Sequence, residues 1–206
     1  MHLNEIKVNI DQPVFEWHRL LEAASANDFI VIEKDRDKMI WFITNYTQFL
    51  IRSGNVEVAT LYGRLIPDYK SFVYQANLAL PVGYELGTNP HALFDLLLNF
   101  ETEPENRFII WNDAGYLYHL NEEDFRDIFE QLIVSAYCNR NGISTIKADG
   151  TRYRVNQRNI FIFNEDEFDT IKPLLDREYY ITSIDKPFNK RIDFNLVRLA
   201  DGSTNQ

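Results

Sequence analysis

The alternation of short apolar runs with helix-patterned segments constrains the fold of this chain more than any other feature. Three runs, DFIVIE (28–33), RFIIW (107–111) and NIFIF (159–163), lack the polar alternation of a strand with one wet face, so each is expected to be covered on both faces. A fourth run, VEVATLYG (56–63), is rich in β-branched residues and ends at a glycine, which is typical of a strand with a tight exit.

The segments between these runs carry apolar residues at helical spacing. Asp35 or Asp37 is expected to cap the second helix, and Asn121 the last one, which Gly142 ends. The predicted helices cover residues 13–27, 35–54, 68–80 and 121–142, and a further helix with Pro90 in its first turn closes the segment 81–100. Because strands separated by helices pair in parallel through right-handed crossovers, we predict an α/β fold with a mostly parallel sheet of four or more strands and helices on both faces.

The C-terminal quarter changes to hairpin patterns. The turn Ala148-Asp149-Gly150 lies between two β-rich runs of 143–155, which predicts an antiparallel hairpin. The segments EYYITSID and RIDFNLVRL predict a second hairpin, so a C-terminal β-hairpin extension is expected. We predict a single domain over 1–199, followed by a disordered tail, 200–206.

Cysteine content and hydropathy favour a cytoplasmic protein. The single cysteine, Cys138, cannot form an internal disulfide and fits a reducing compartment. No apolar run approaches the roughly 18 residues of a membrane span, and the first residues lack the pattern of a signal peptide. We therefore predict no membrane association.

Negative charge is concentrated in one third of the chain. The formal net charge is −10, and residues 67–130 contain twelve acids against three bases. Such a surface repels nucleic acid and attracts a basic protein. The alternative is a solvated acidic face that only keeps the protein dissolved.

One segment resembles a degenerate phosphate-binding loop. LYGRLIPDYKSF places Lys70-Ser71 where the motif G-x-x-x-x-G-K-[ST] ends, but Arg64 and Tyr69 occupy the two glycine positions. Side chains there obstruct the wrapping of phosphates by backbone amides. Asp113, after RFIIW, matches the magnesium-holding acid of such enzymes. This pattern supports an alternative function, a nucleotide-binding-type (P-loop-like) domain with a degenerate phosphate loop and a regulatory or assembly role without ATP hydrolysis.

Specific catalytic and metal-binding motifs are missing from the sequence. The four histidines are scattered, no C-x-x-C pair exists, and no G-x-S-x-G elbow is present. We therefore predict no catalytic residues, no metal site and no cofactor, and a protein that is not an enzyme.

The segment from 81 to 97 resembles the signature of the barstar-like ribonuclease inhibitors. The residues that carry this resemblance are Pro81, Tyr84, Gly87, Asn89, Ala92, Leu93, Phe94, Asp95 and Leu97. The order of strands and helices upstream and downstream is also similar to that family over 56–163. The resemblance implies a barstar-like core at 56–163, an N-terminal α/β addition (1–55) and a C-terminal β addition (164–199).

The resemblance also implies an inhibitor-like surface. Its partner-binding residues would be Tyr84, Asn89, His91, Phe94 and Asp95, and its partner a basic protein such as a nuclease. His91 departs from the family, which carries an acid there, and a cationic histidine weakens contact with a basic site.

Physical arguments lead to the same surface without the resemblance. An aromatic ring beside a carboxylate on a helix, as at Phe94-Asp95, suits insertion into a basic cleft. The alternative is that Phe94 is buried and Asp95 caps or pairs locally. Our main functional prediction is a non-catalytic protein-binding module that presents an acidic loop and helix to a basic partner.

Overall fold

The computed structural model describes residues 3–11, 13–23, 27–82, 90–98 and 100–200. The strands are β1 (Leu3–Asn9), β2 (Asp28–Glu33), β3 (Val56–Tyr62), β4 (Asn106–Asn112), β5 (Asn156–Asn164), β6 (Glu178–Ile181), β7 (Phe188–Arg191) and β8 (Phe194–Ala200). The α-helices are α1 (Pro13–Ala23), α2 (Arg36–Arg52), α3 (Tyr69–Ala79), α4 (Pro90–Leu97), α5 (Gly115–Leu120), α6 (Glu122–Asn141) and α7 (Phe168–Leu175).

Six of the strands form one sheet in the order β1-β8-β2-β5-β4-β3, and every neighbouring pair in it is parallel. The remaining two, β6 and β7, pair antiparallel as a separate hairpin. The predicted α/β class, with a mostly parallel sheet and a C-terminal hairpin, is therefore confirmed.

Helices cover both faces of the sheet, as predicted. Helices α1 and α2 pack on one face around Trp17, Phe42 and Tyr46. Helices α3 to α7 pack on the other face, around Phe125 and Phe129 of α6. Because both faces are covered, the central strands are apolar without alternation.

The strands and caps predicted from sequence fall where expected. Strand β2 has the predicted bounds, and Trp111 in β4 is fully buried. The Asp35 side chain caps α2, and the Asn121 side chain accepts a hydrogen bond from the Asp124 N–H of α6 at 3.1 Å. Gly142 ends α6 with a φ of 60°, in the left-handed region that favours glycine.

Several details differ from the sequence prediction, among them the short helices α5 and α7, which were not predicted. Segment 143–155 forms a turn with one isolated bridge, Ile146 to Arg152, instead of a regular hairpin. Only Arg191 of the segment RIDFNLVRL belongs to the hairpin, where it is the last residue of β7. The rest of the segment leads into β8, which lies in the main sheet between β1 and β2. Strand β1 was not predicted, since only Ile6 and Val8 of LNEIKVN are buried and the apolar signal is short.

Strands from all three predicted segments share the sheet: β1 and β2 from 1–55, β3 to β5 from 56–163, and β8 from 164–199. Residues 201–206 of the predicted tail lie outside the described residues. Among the helices that the structure describes, none is long and apolar enough to cross a membrane.

Candidate functional site

Between β2 and β5, the helices that follow the strands change from one face of the sheet to the other. We call this change, at the carboxyl ends of the two strands, the reversal of the sheet. These strands are parallel neighbours, yet α2, which follows β2, packs on one face while α7, which follows β5, packs on the other. In open parallel sheets, ligands bind outside the carboxyl ends of the strands at such a reversal. Lys34 after β2, Asp113 after β4 and Asn164 at the end of β5 line a cavity there. We call this place the carboxyl-edge crevice.

The turn that leads from β2 into α2 contains only Lys34 and Asp35. The Asp35 carboxylate accepts hydrogen bonds from the backbone N–H groups of Asp37, at 2.9 Å, and Lys38, at 3.4 Å. The Glu33 carboxylate accepts the N–H of Asp35 at 2.8 Å. Amides at the start of a helix are the donors that bind anions such as phosphate. Three of them are already satisfied here by the chain's own carboxylates.

The residues that follow β3 and β4 pack against each other through their backbones. A Cβ atom added at Gly63 would lie 2.1 Å from the carbonyl oxygen of Asp113. Asp113 itself has a φ of 47°, and its carboxylate accepts a hydrogen bond from Arg64 Nε at 2.9 Å. The acid that matched a magnesium ligand in the sequence is therefore paired with a guanidinium group.

Glu167 fills the crevice from the side of β5. Its carboxylate accepts the N–H of Asn164 at 2.8 Å and lies 3.0 Å from His119 Nε2. A Cβ atom at Gly115 would lie 2.3 Å from the same carboxyl group. The glycine at the start of α5 therefore allows Glu167 to enter the crevice and close it.

The space that remains in the crevice is small. The cavity lined by Lys34, Arg64, Asp113 and Glu167 measures about 150 Å³. Pockets that bind small molecules usually measure about 300–1,000 Å³. Within the part of the chain that the structure describes, no group of three histidine, cysteine or acidic side chains is placed to hold a metal ion. The crevice therefore has the position of a ligand site in an open parallel sheet, but its volume is below the usual range for small-molecule pockets.

The phosphate-loop candidate identified in the sequence lies elsewhere. Lys70 and Ser71 are in the first turn of α3, whose N-cap Asp68 accepts the N–H of Ser71 at 2.8 Å. This hydrogen bond also holds the pKa of the Asp68 carboxyl below its usual value. The loop follows β3, which is an edge strand, and so it lies away from the reversal.

A second candidate site is a larger groove of about 680 Å³ between α4, α6 and the residues after β6. Two residues predicted to bind a partner, Phe94 and Asp95, line it. Asp95 is exposed, while Phe94 is half-buried against the core. For His91 the structure describes only its place in α4. Tyr84 and Asn89 lie outside the described residues, so their predicted roles stay predictions.

Sequence reasoning missed the other side of this groove. Asp127, Glu130 and Val134 of α6, together with Tyr180 and Ile184, line it opposite α4. The acidic excess of 67–130 includes Asp127 and Glu130. No local pattern in the sequence, however, connects α6 with residues near 180.

The charge of the α6 acids affects a neighbouring tyrosine. Burial, together with the charges of Asp127 and Asp124, raises the pKa of Tyr69 to about 12. Asp124 also accepts the backbone N–H of Tyr69 at 2.8 Å. The negative potential of α6 therefore extends to the start of α3.

No protein-family model matches this chain, and no curated protein matches it. Among solved structures it is similar to the ORC2 protein of Aeropyrum pernix, determined in ADPNP-ADP complexes, with a TM-score of 0.50 and 14% sequence identity. The similarity covers 91% of this chain and 45% of that one, so the chain spans less than half of the length of ORC2. At this identity the likeness shows the fold alone.

Proposed function

We propose that this chain is a domain of nucleotide-binding type that serves in assembly or regulation and does not hydrolyse ATP. The observation that carries the proposal is the turn from β2 to α2, where Asp35 and Glu33 occupy three backbone amides at the reversal of the sheet. The sheet order and the likeness to ORC2, whose structure contains ADPNP and ADP, support the architecture.

Electrostatics and volume both oppose a bound triphosphate in the crevice. A phosphate at the start of α2 would have to displace the Asp35 carboxylate and would lie beside Glu33 as well, so like charges would repel it. The remaining cavity of about 150 Å³ is also below the usual range for small-molecule pockets. The proposed protein keeps the fold as a scaffold while its own side chains fill the ligand position.

The protein is not an enzyme in this proposal, since the acids at the crevice are paired with Arg64 or with backbone amides. A cytoplasmic location fits Cys138, which is buried on α6 and whose thiol pKa is raised by burial. Such a thiol is unreactive and needs no oxidising compartment.

Thermal unfolding with and without Mg-ATP, combined with a phosphate-release assay, tests the proposal. A ligand present at about 100 times its Kd stabilises the native state by about 2.7 kcal/mol. For a chain of this size that corresponds to a rise in Tm of roughly 5–11 °C. We expect no rise and no phosphate release.

A rise of several degrees, or turnover above a buffer control, would overturn the proposal. If a rise occurs, the Lys70→Ala variant shows whether the nucleotide binds at the start of α3. Loss of the shift in that variant would assign the binding to the edge-strand loop and would contradict the assignment made here.

A protein-binding module is a second candidate, because Phe94 and Asp95 line the groove of about 680 Å³ at α4 and α6. The inhibitor-like form of this candidate rests on the barstar-like resemblance. It predicts that the protein reduces RNA cleavage by a basic ribonuclease at equimolar concentration. Unchanged cleavage rates would end the inhibitor-like form, while a partner of another kind could still use the groove.

A further inference from the structure

The groove between α4 and α6 has walls that the fold holds in place. The Asn139 side chain of α6 donates a hydrogen bond to the carbonyl of Leu97 in α4 at 2.9 Å, and both residues are buried. On the opposite wall, the N–H of Ile184 donates to the carbonyl of Ile143 at 2.8 Å, and the Ser144 hydroxyl donates to the carbonyl of Thr182 at 3.1 Å. The groove is therefore preformed, which lowers the entropic cost of binding.

The groove is lined by apolar side chains together with acids and a few neutral polar groups. The apolar side chains are Phe94, Leu98, Val134, Tyr180 and Ile184. Tyr180 is 59% exposed and Ile184 is 41% exposed, so both present apolar surface to solvent. The acids are Asp95, Asp127 and Glu130, and no lysine or arginine is among the lining residues.

Two of the three acids that line the groove are available to a partner. Glu130 forms an ion pair with Arg177 at 2.6 Å. Among the described residues, neither Asp95 nor Asp127 forms an ion pair, and both are exposed. These two carboxylates lie on helices α4 and α6, and both line the groove.

We propose that this groove binds a basic amphipathic helix from a partner protein. An amphipathic helix buries its apolar face in a hydrophobic groove, and lysine or arginine side chains that flank that face would reach Asp95 and Asp127. Complementary charge of this kind speeds association and fixes the orientation of the helix. Nucleic acid is repelled by the same carboxylates.

Neither a second copy of this chain nor its own remaining segments fit the groove as well. Two copies would each bring a net charge of −10, which opposes their contact at an acidic surface. The segment 83–89 contains Glu85 and no base, and 201–206 contains Asp201 and no base. Neither of these two segments supplies positive charge, and the proposal therefore assigns the helix to another protein.

The inference rests on the assembly role proposed above, and each of the two proposals is contradicted by a different result. The nucleotide assays report on the carboxyl-edge crevice, whereas binding of a helix reports on the groove. ATP hydrolysis with intact helix binding would remove the first proposal alone. If neither a helix nor a nucleotide binds, only the proposal about the groove is contradicted.

The test uses a panel of fluorescent peptides of about 15 residues, a length at which isolated helices become stable. The basic set carries leucine, isoleucine or phenylalanine at positions i, i+3, i+4 and i+7, with lysine and arginine elsewhere. A second set replaces the bases with glutamate, and a third scrambles the basic sequences so that the apolar stripe is lost. Binding to the full chain is measured by anisotropy at low and high salt.

Two groove variants and two matched controls identify the binding site. Asp127→Lys and Ile184→Ser alter the groove, while Glu22→Lys on α1 and Ile51→Ser on α2 make the same changes at exposed positions on the other side of the sheet. All four positions are exposed, so the variants are expected to fold, and circular dichroism checks this.

We expect members of the basic set to bind and the other two sets to bind at least about tenfold more weakly, since charge and apolar periodicity are both required. Each groove variant should weaken binding by about tenfold or more, and neither control should do so. Several results would overturn the proposal: no binding in the basic set, equal binding by the scrambled or acidic sets, or equal losses in the controls. Dimerisation that Ile184→Ser abolishes would instead assign the groove to a second copy.

Discussion

Replacing Asp35 tests whether a side chain of the protein holds the helix start at which a nucleotide-binding protein would hold phosphate. In Asp35→Ala the N–H groups of Asp37 and Lys38 lose their acceptor. In Asp35→Asn the side-chain oxygen still caps the helix, and only the negative charge is lost. The pair of variants therefore separates the hydrogen bonds from the charge.

The expected losses follow from the cap geometry. Removal of an N-cap side chain costs about 0.5–2 kcal/mol, and removal of its charge from the helix N-terminus costs about 0.3–1 kcal/mol more. For Asp35→Ala the free energy of unfolding should fall by about 1–3 kcal/mol, which lowers Tm by roughly 2–12 °C in a chain of this size. For Asp35→Asn the fall in Tm should be only about 1–4 °C.

Chemical and thermal denaturation of purified variants measure these differences. Asp37→Ala is the matched control, because Asp37 is an exposed acid in the same helical turn, and its loss should resemble that of Asp35→Asn. An Asp35→Ala variant as stable as the natural protein would refute the capping argument. Equal losses of stability in the alanine and asparagine variants would show that only the charge of Asp35 stabilises the helix start. The hydrogen bonds from the N–H groups of Asp37 and Lys38 would then contribute nothing.

Three further predictions concern the core, the crevice and the groove. Asp28→Ala leaves the buried Arg140 guanidinium without its carboxylate partner, so urea denaturation should show a loss of about 3–5 kcal/mol; a loss under about 1 kcal/mol would contradict the pairing. Gly63→Ala places a methyl group against a backbone oxygen at 2.1 Å, so Tm should fall by several degrees, as for an overpacked site, and an unchanged Tm would argue against this packing. Asp127→Asn should lower the pKa of Tyr69 from about 12 while burial keeps it above its ordinary value, as followed by NMR titration. Because the folded pKa of Tyr69 is raised, its stabilising effect is full below pH 10 and is lost as the pH rises towards 12; an unchanged Tyr69 pKa in Asp127→Asn would refute the coupling.

Local patterns predicted the elements that are buried on both faces or capped by a specific side chain. Strand β2, with the sequence DFIVIE, and the end of α6 at Gly142 are examples. A strand covered by helices on both sides must be apolar throughout, and a left-handed cap favours glycine. Strand β1 escaped prediction because, at the outer edge of the sheet, only Ile6 and Val8 of it are buried.

The candidate sites depended on contacts that no local pattern encodes. Phe94 and Asp95 were predicted as partner-binding residues on a helix, with burial of Phe94 as the alternative, and the structure places both in the groove. The opposite wall comes from Asp127 and Ile184, which are distant in sequence. The phosphate-loop candidate at Lys70 was a partial match to a motif, but it follows β3, which is an edge strand. The reversal of the sheet lies elsewhere, between β2 and β5.

A parallel α/β fold with helices on both faces could be predicted from local patterns alone, because hydrophobic periodicity and capping are local properties. The strand order, and with it the position of the carboxyl-edge crevice, is visible only in the folded chain. The folded structure also places Glu167 in that crevice, Asp35 and Glu33 on the backbone amides at the start of α2, and acids of α4 and α6 in one groove. These features depend on which strands pair across long stretches of chain, and that pairing is set by the burial of the whole core and not by any one segment.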